Sequence, residues 1–108
     1  MARRLARGDV HLFPFDPPDK RRPVVILTRE NVVNSLSWVT VAPISSTIRG
    51  AESEVLLNIE EGMKGPCAVN LQNIVTVPQQ RLGPRVASLG SERMKEVCAA
   101  LRFSLGCD

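Results

Sequence analysis

Histidine is nearly missing from this chain: His11 is the single one among 108 residues, and tyrosine is missing altogether. One imidazole and carboxylates scattered without ligand spacing leave nothing from which to build a metal centre. They offer no nucleophile triad either. The three cysteines, Cys67, Cys98 and Cys107, are odd in number and show no Cys-x-x-Cys pair. That spacing excludes a disulfide framework and a zinc knuckle and fits a reducing cytoplasm, with the thiols read as small buried or terminal hydrophobes. No apolar run approaches the roughly 18 residues that a membrane helix needs. The basic stretch Met1 to Arg7 is not followed by the apolar segment of a secretory signal. Glycine-rich phosphate loops of the Gly-x-Gly-x-x-Gly or Gly-Lys-Ser/Thr kind are also absent, so neither a nucleotide cofactor nor a metal is expected. Lysine is scarce too. Only Lys20, Lys64 and Lys95 stand among fourteen cations, the rest being arginine.

What is present points one way. The net charge is +3 and rests on arginine, whose planar fork suits bidentate phosphate contacts, so the partner is expected to be nucleic acid or an acidic protein. With 44% hydrophobic residues over 108 positions, one domain spanning 1–108 is expected. Short β-forming runs follow one another closely: Asp9 to Phe15, Val24 to Thr28, Trp38 to Pro43 and Glu54 to Ile59, then Cys67 to Leu71, Ile74 to Val77 and Arg85 to Leu89. The fifth and sixth read as two strands or as one interrupted strand. Ser91 is a suitable helix cap, and Met94, Val97, Cys98, Leu101 and Leu105 keep the i, i+3, i+4 spacing of an amphipathic helix that Gly106 would stop. The fold class is therefore mainly β with a C-terminal helix: five to seven strands in a small, strongly bent barrel.

The chain is organised around Lys20-Arg21-Arg22-Pro23-Val24-Val25-Ile26-Leu27, three cations running into a strand apolar on both faces. Pro23 fixes its own φ and biases Arg22 to an extended backbone. Two readings fit Arg22, a solvated strand end or a phosphate ligand with a fixed exit from the sheet. Ser45 closes the third strand within Ala-Pro-Ile-Ser-Ser-Thr and likewise reads as a loop residue or as a second phosphate contact. If these two strands are neighbours, a guanidinium and a hydroxyl face one groove. That pairing suits phosphodiester cleavage, where charge grows on the non-bridging oxygens. With RNA the substrate's own 2′-hydroxyl can attack. Strand alternation sets His11 opposite to Val10 and Leu12, on the less buried face, and Trp38 reads as core or interface.

Gly8-Asp9-Val10-His11-Leu12 ahead of Phe15-Asp16-Pro17, then Arg22-Pro23-Val24-Val25-Ile26, resembles the opening of the MazF/PemK toxins. Val41-Ala42-Pro43-Ile44-Ser45 resembles their third strand, and Ile74-Val75-Thr76-Val77 before Arg81-Leu82, with Leu89 to Gly106, resembles their later strands and helix. The resemblance implies an SH3-like barrel that forms a homodimer. It implies metal-independent cleavage of single-stranded RNA at short sequences, leaving a 2′,3′-cyclic phosphate and a 5′-hydroxyl. It also implies a cognate antitoxin whose acidic, disordered segment folds across the basic groove. Carried over residue by residue, the catalytic arginine is Arg22 and the catalytic threonine becomes Ser45. The loop before Arg22 lacks the usual glutamate, which leaves Asp19 as the candidate proton acceptor. Lys20, Arg21, Ser46, Thr47 and Arg49 would follow the RNA backbone. The family's acidic-Gln-Ile-basic segment reads Gln72-Asn73-Ile74-Val75, a change that bears on sequence preference. Two other functions belong to similar barrels: gyrase inhibition, which uses a C-terminal tryptophan absent here, and plain peptide binding on exposed aromatics, which are few.

Overall fold

The computed structural model describes residues 4–16 and 20–107. Among these described residues, seven strands and one long helix make up the order: β1 (Asp9–Pro14), β2 (Arg21–Ile26), β3 (Trp38–Ser45), β4 (Glu54–Leu57), β5 (Cys67–Asn70), β6 (Val75–Pro78), β7 (Arg85–Ser88) and α1 (Ser91–Leu105). Neighbours pair antiparallel in the sequence β4-β5-β3-β2-β1-β7, with β6 also on β3. The result is a bent half-barrel closed by a C-terminal helix, the expected class.

β2 and β3 form its middle because both of their faces are apolar. Successive strand residues point to opposite faces. Val25, Leu27, Ala42 and Ile44 therefore enter one cluster with Val10, Val69 and Val97, while Val24, Ile26, Val39 and Val41 enter another with Leu5, Phe13 and Val33. Full burial of each such side chain is worth about 1.5–3 kcal/mol. Val41 pairs with Ile26 across one edge of β3 and with Val75 across the other, and Ile44 then pairs with Val69. So β5 and β6 follow each other along one edge as an interrupted strand. Pro43, opposite Val24, falls at the gap between them, where a missing N–H breaks no ladder.

Several expectations are corrected. β2 starts at Arg21, earlier than Val24, because the ladder with β1 continues through Arg22 opposite Phe13 and Arg21 opposite Pro14. β3 runs through Pro43 to Ser45. β4 ends at Leu57, and a short 3-10 turn, Ile59–Glu61, follows it. Gly90, not Ser91, occupies the cap of α1, and no side chain caps it. Met94, Val97 and Ala100 are the buried residues of α1, whereas Leu105 is 56% exposed. Trp38 is 57% exposed and so is not core.

His11 is the clearest reversal, at only 2% exposure. Both faces of β1 are covered, Val10 lying in one cluster and Phe13 in the other. The His11 Nδ1–H donates to the Gly83 carbonyl at 2.9 Å, and the buried Nε2 has no hydrogen-bond partner. Gly83 can lie this close only without a side chain, since a Cβ there would stand 2.9 Å from the Leu12 carbonyl oxygen. On the same side of the sheet, Asn34 straps Leu5 down. Its side chain accepts from the Leu5 N–H at 2.7 Å and donates to the Leu5 carbonyl at 2.8 Å.

Candidate active site

The register of the central pair brings the two key groups together. Ile26 lies opposite Val41, Val25 opposite Ala42 and Val24 opposite Pro43. Carried two residues outward, the same register would set Arg22 against Ser45. Both line one open cleft of ≈ 720 Å³, and Lys20, Arg21, Ser46 and Thr47 line it with them. Three consecutive exposed cations thus stand at one wall, beside a run of hydroxyls. Arg49 does not line the cleft. Its N–H, with those of Gly50 and Ala51, donates to Glu54 Oε1 at 2.9–3.2 Å, which pins the loop that follows β3. Asp19 lies outside the described residues, as do Pro17 and Pro18.

Ser45 is half-buried, and its Oγ accepts the Thr47 N–H at 3.0 Å. One lone pair is thereby committed to the turn, leaving the hydroxyl proton to donate elsewhere. A hydroxyl donor beside guanidinium groups is the equipment for holding a phosphate and stabilising charge that develops on it.

Gly62, Met63, Lys64, Gly65, Pro66 and Cys67, from the loop between β4 and β5 and the start of β5, line the cleft too, and the sequence alone marks none of them as a site residue. Gly62 takes φ +91°, and a Cβ there would meet the Ala87 Cβ at 3.2 Å, so the turn needs glycine on both counts. Asn58 Oδ1 accepts the Ile59 N–H, and Glu61 Oε1 accepts the Asn58 N–H at 2.7 Å, a reciprocal cap. Glu61 Oε2 also accepts from Arg93 Nε of α1 at 3.1 Å. The Asn58 N–H, then Arg93, hold the Glu61 carboxyl below its ordinary value, and the bond to Glu61 raises Arg93 in return. Burial, with the Glu61 charge adding to it, pushes the Cys67 thiol up. Cys67 is therefore a protonated wall of the cleft rather than a nucleophile. Lys64 was legible in principle, as a cation framed by Gly62 and Gly65-Pro66.

Among the described residues no three His, Cys, Asp or Glu side chains gather as metal ligands, and no helix is long and apolar enough to cross a membrane. The profile of the PemK-like, MazF-like toxins of type II toxin–antitoxin systems matches residues 6–105. The chain belongs to this family. The endoribonuclease MazF3 of Mycobacterium tuberculosis is 45% identical over 90 residues, covering 83% of this chain and 87% of that protein. The probable endoribonuclease MazF2 of the same species is 37% identical over 104 residues, 95% of this chain and 100% of the relative. The solved Mycobacterium tuberculosis toxin MazF-mt6 superposes with a TM-score of 0.85 at 35% identity, covering 93% of this chain and 98% of that one. This MazF-family chain is thus the toxin component of a toxin–antitoxin pair, with endoribonucleases among its relatives.

Proposed function

We propose that this toxin is a sequence-selective, metal-independent endoribonuclease acting on single-stranded RNA in the cytoplasm, as a homodimer of one-domain chains. The substrate's 2′-hydroxyl oxygen attacks the adjacent phosphorus, and the bond to the 5′-oxygen of the next nucleotide breaks. The 2′-hydroxyl proton passes to a base, for which Asp19 is the candidate, and a proton reaches the departing 5′-oxygen. The products are a 2′,3′-cyclic phosphate and a 5′-hydroxyl, with no water consumed. Arg22 is a poor base, because a guanidinium does not give up its proton in a protein. Its role is to neutralise the pentacovalent phosphorus or to protonate the leaving oxygen. Ser45 donates to a non-bridging oxygen, and Lys20, Arg21, Ser46 and Thr47 hold the flanking backbone. Arg49, set back from the cleft, would act only on a longer strand.

The observation that carries this reading is the convergence of Arg22 and Ser45, from neighbouring strand ends, on one open cleft with three further cations. The same cationic cleft accounts for inhibition, because an acidic antitoxin segment lying in it would exclude RNA. The decisive test compares wild type and Arg22→Ala on single-stranded RNA with EDTA present, with the cleaved ends mapped. Wild type is expected to cut and leave cyclic phosphate, and Arg22→Ala to be inert while still folded. Undiminished cutting by the variant, or a wild-type activity abolished by EDTA, would overturn the corresponding part.

A further inference from the structure

Besides the Lys20–Arg22 run, the cleft is lined by another cation, Lys64, from the loop between β4 and β5. An exposed lysine is commonly just a solvated charge, and two observations set this one apart. Its loop is fixed at both ends. On the near side, Gly62 donates its N–H to the Ile59 carbonyl at 2.9 Å, Asn58 and Glu61 cap each other, and Met63 packs on the core. On the far side, Cys67 is buried and paired opposite Leu57. Arg93 of α1 ties Glu61 to the helix, so the loop is braced from behind as well. Second, Lys64 comes from the loop that leads into β5, which pairs with β3 on the side away from β2, so the cleft receives positive charge from both flanks of β3.

We infer that Lys64 is a substrate-positioning cation that neutralises one backbone phosphate of single-stranded RNA next to the scissile one. The clamp has two parts: β2 supplies the charge at the reacting phosphorus, and the loop between β4 and β5 supplies the anchor. The inference rests on the RNA-cleaving reading of the same cleft. A point charge of this kind contributes equally to the bound substrate and to the transition state, so its loss raises KM and leaves kcat unchanged.

The test uses the full chain and a short, random-sequence, fully 2′-O-methylated RNA, which lacks the attacking hydroxyl and stays intact. Binding is followed against salt for wild type, Lys64→Gln and Lys64→Arg. Neutralising one phosphate on a single strand contributes about 0.7 to the slope of log K against log salt. Lys64→Gln is therefore expected to flatten the slope by about 0.7, which makes its loss of affinity between about 50 and 200 mM salt about 2.6-fold smaller than that of wild type. Lys64→Arg is expected to keep the wild-type slope. On cleavable RNA, Lys64→Gln is expected to show a raised KM at wild-type kcat. An unaltered slope in Lys64→Gln, with wild type binding normally, overturns this inference and leaves the RNA reading standing. A wild-type chain that binds no RNA overturns both, and a fall in kcat alone would make Lys64 part of the chemistry instead.

Discussion

Replacing Ser45 by alanine separates the two jobs that its hydroxyl performs. The Oγ accepts the Thr47 N–H at 3.0 Å, a contact of the turn after β3 with exposed surroundings. Its loss costs at most about 0.5–1.5 kcal/mol, with water able to replace the acceptor. For a chain of this size that shifts Tm by a few degrees, since 1 kcal/mol corresponds to about 4–8 °C in a small domain. The catalytic loss is of another order. Removing a donor aimed at charge that grows in the transition state costs about 10²–10³ in kcat, or about 2.7–4 kcal/mol. Single-turnover cleavage of a labelled single-stranded RNA, run beside thermal melting by circular dichroism, reads both quantities from one preparation. Ser45→Ala is expected to melt near wild type and to cut hundreds of times more slowly. Ser45→Thr keeps the hydroxyl and should retain cleavage. A Ser45→Ala enzyme that still cuts at close to the wild-type rate would refute the assignment, leaving the hydroxyl as a turn contact.

Two further outcomes concern the scaffold. Asn34→Ala removes both bonds to Leu5, whose side chain is buried, and is expected to lower unfolding stability by about 1–3 kcal/mol in urea titration, with cleavage intact once folded. Glu61 gives a pH signature. Its folded-state pKa is lowered from about 4.5, so the stabilisation is complete above that value and drains away as pH falls through the lowered one. Melting curves below about pH 4.5 should therefore fall more steeply for wild type than for Glu61→Gln; parallel curves would mean that the Asn58 and Arg93 contacts contribute nothing.

Periodicity exposed most of the scaffold. Val24 to Ile26 announced a strand buried on both sides, and the spacing of Met94 and Val97 announced the helix, because those residues face one partner each and obey a single period. Failures came where tertiary pairing overrules local signals. Pro43 looked like a stop, yet β3 continues through it because the neighbouring edge is interrupted there. His11 looked peripheral because alternation assumes one wet face, whereas β1 has apolar cover on both. Within the cleft, Arg22 and Ser45 could be paired once their strands were taken as neighbours. Lys64 could be noticed as a cation framed by glycines but not assigned to the cleft, since its place there depends on how the loop between β4 and β5 folds.

The sharing of β2 and β3 between two apolar clusters has a consequence for how this toxin fails under heat. Neither cluster can loosen while the other persists, because alternate residues of the same two strands serve as walls to both. Arg22 and Ser45 stand at the ends of those strands, so the cleft they line depends on both clusters at once. Warming is then expected to silence the toxin abruptly, with activity and shape vanishing at a common temperature and no dormant yet intact form in between.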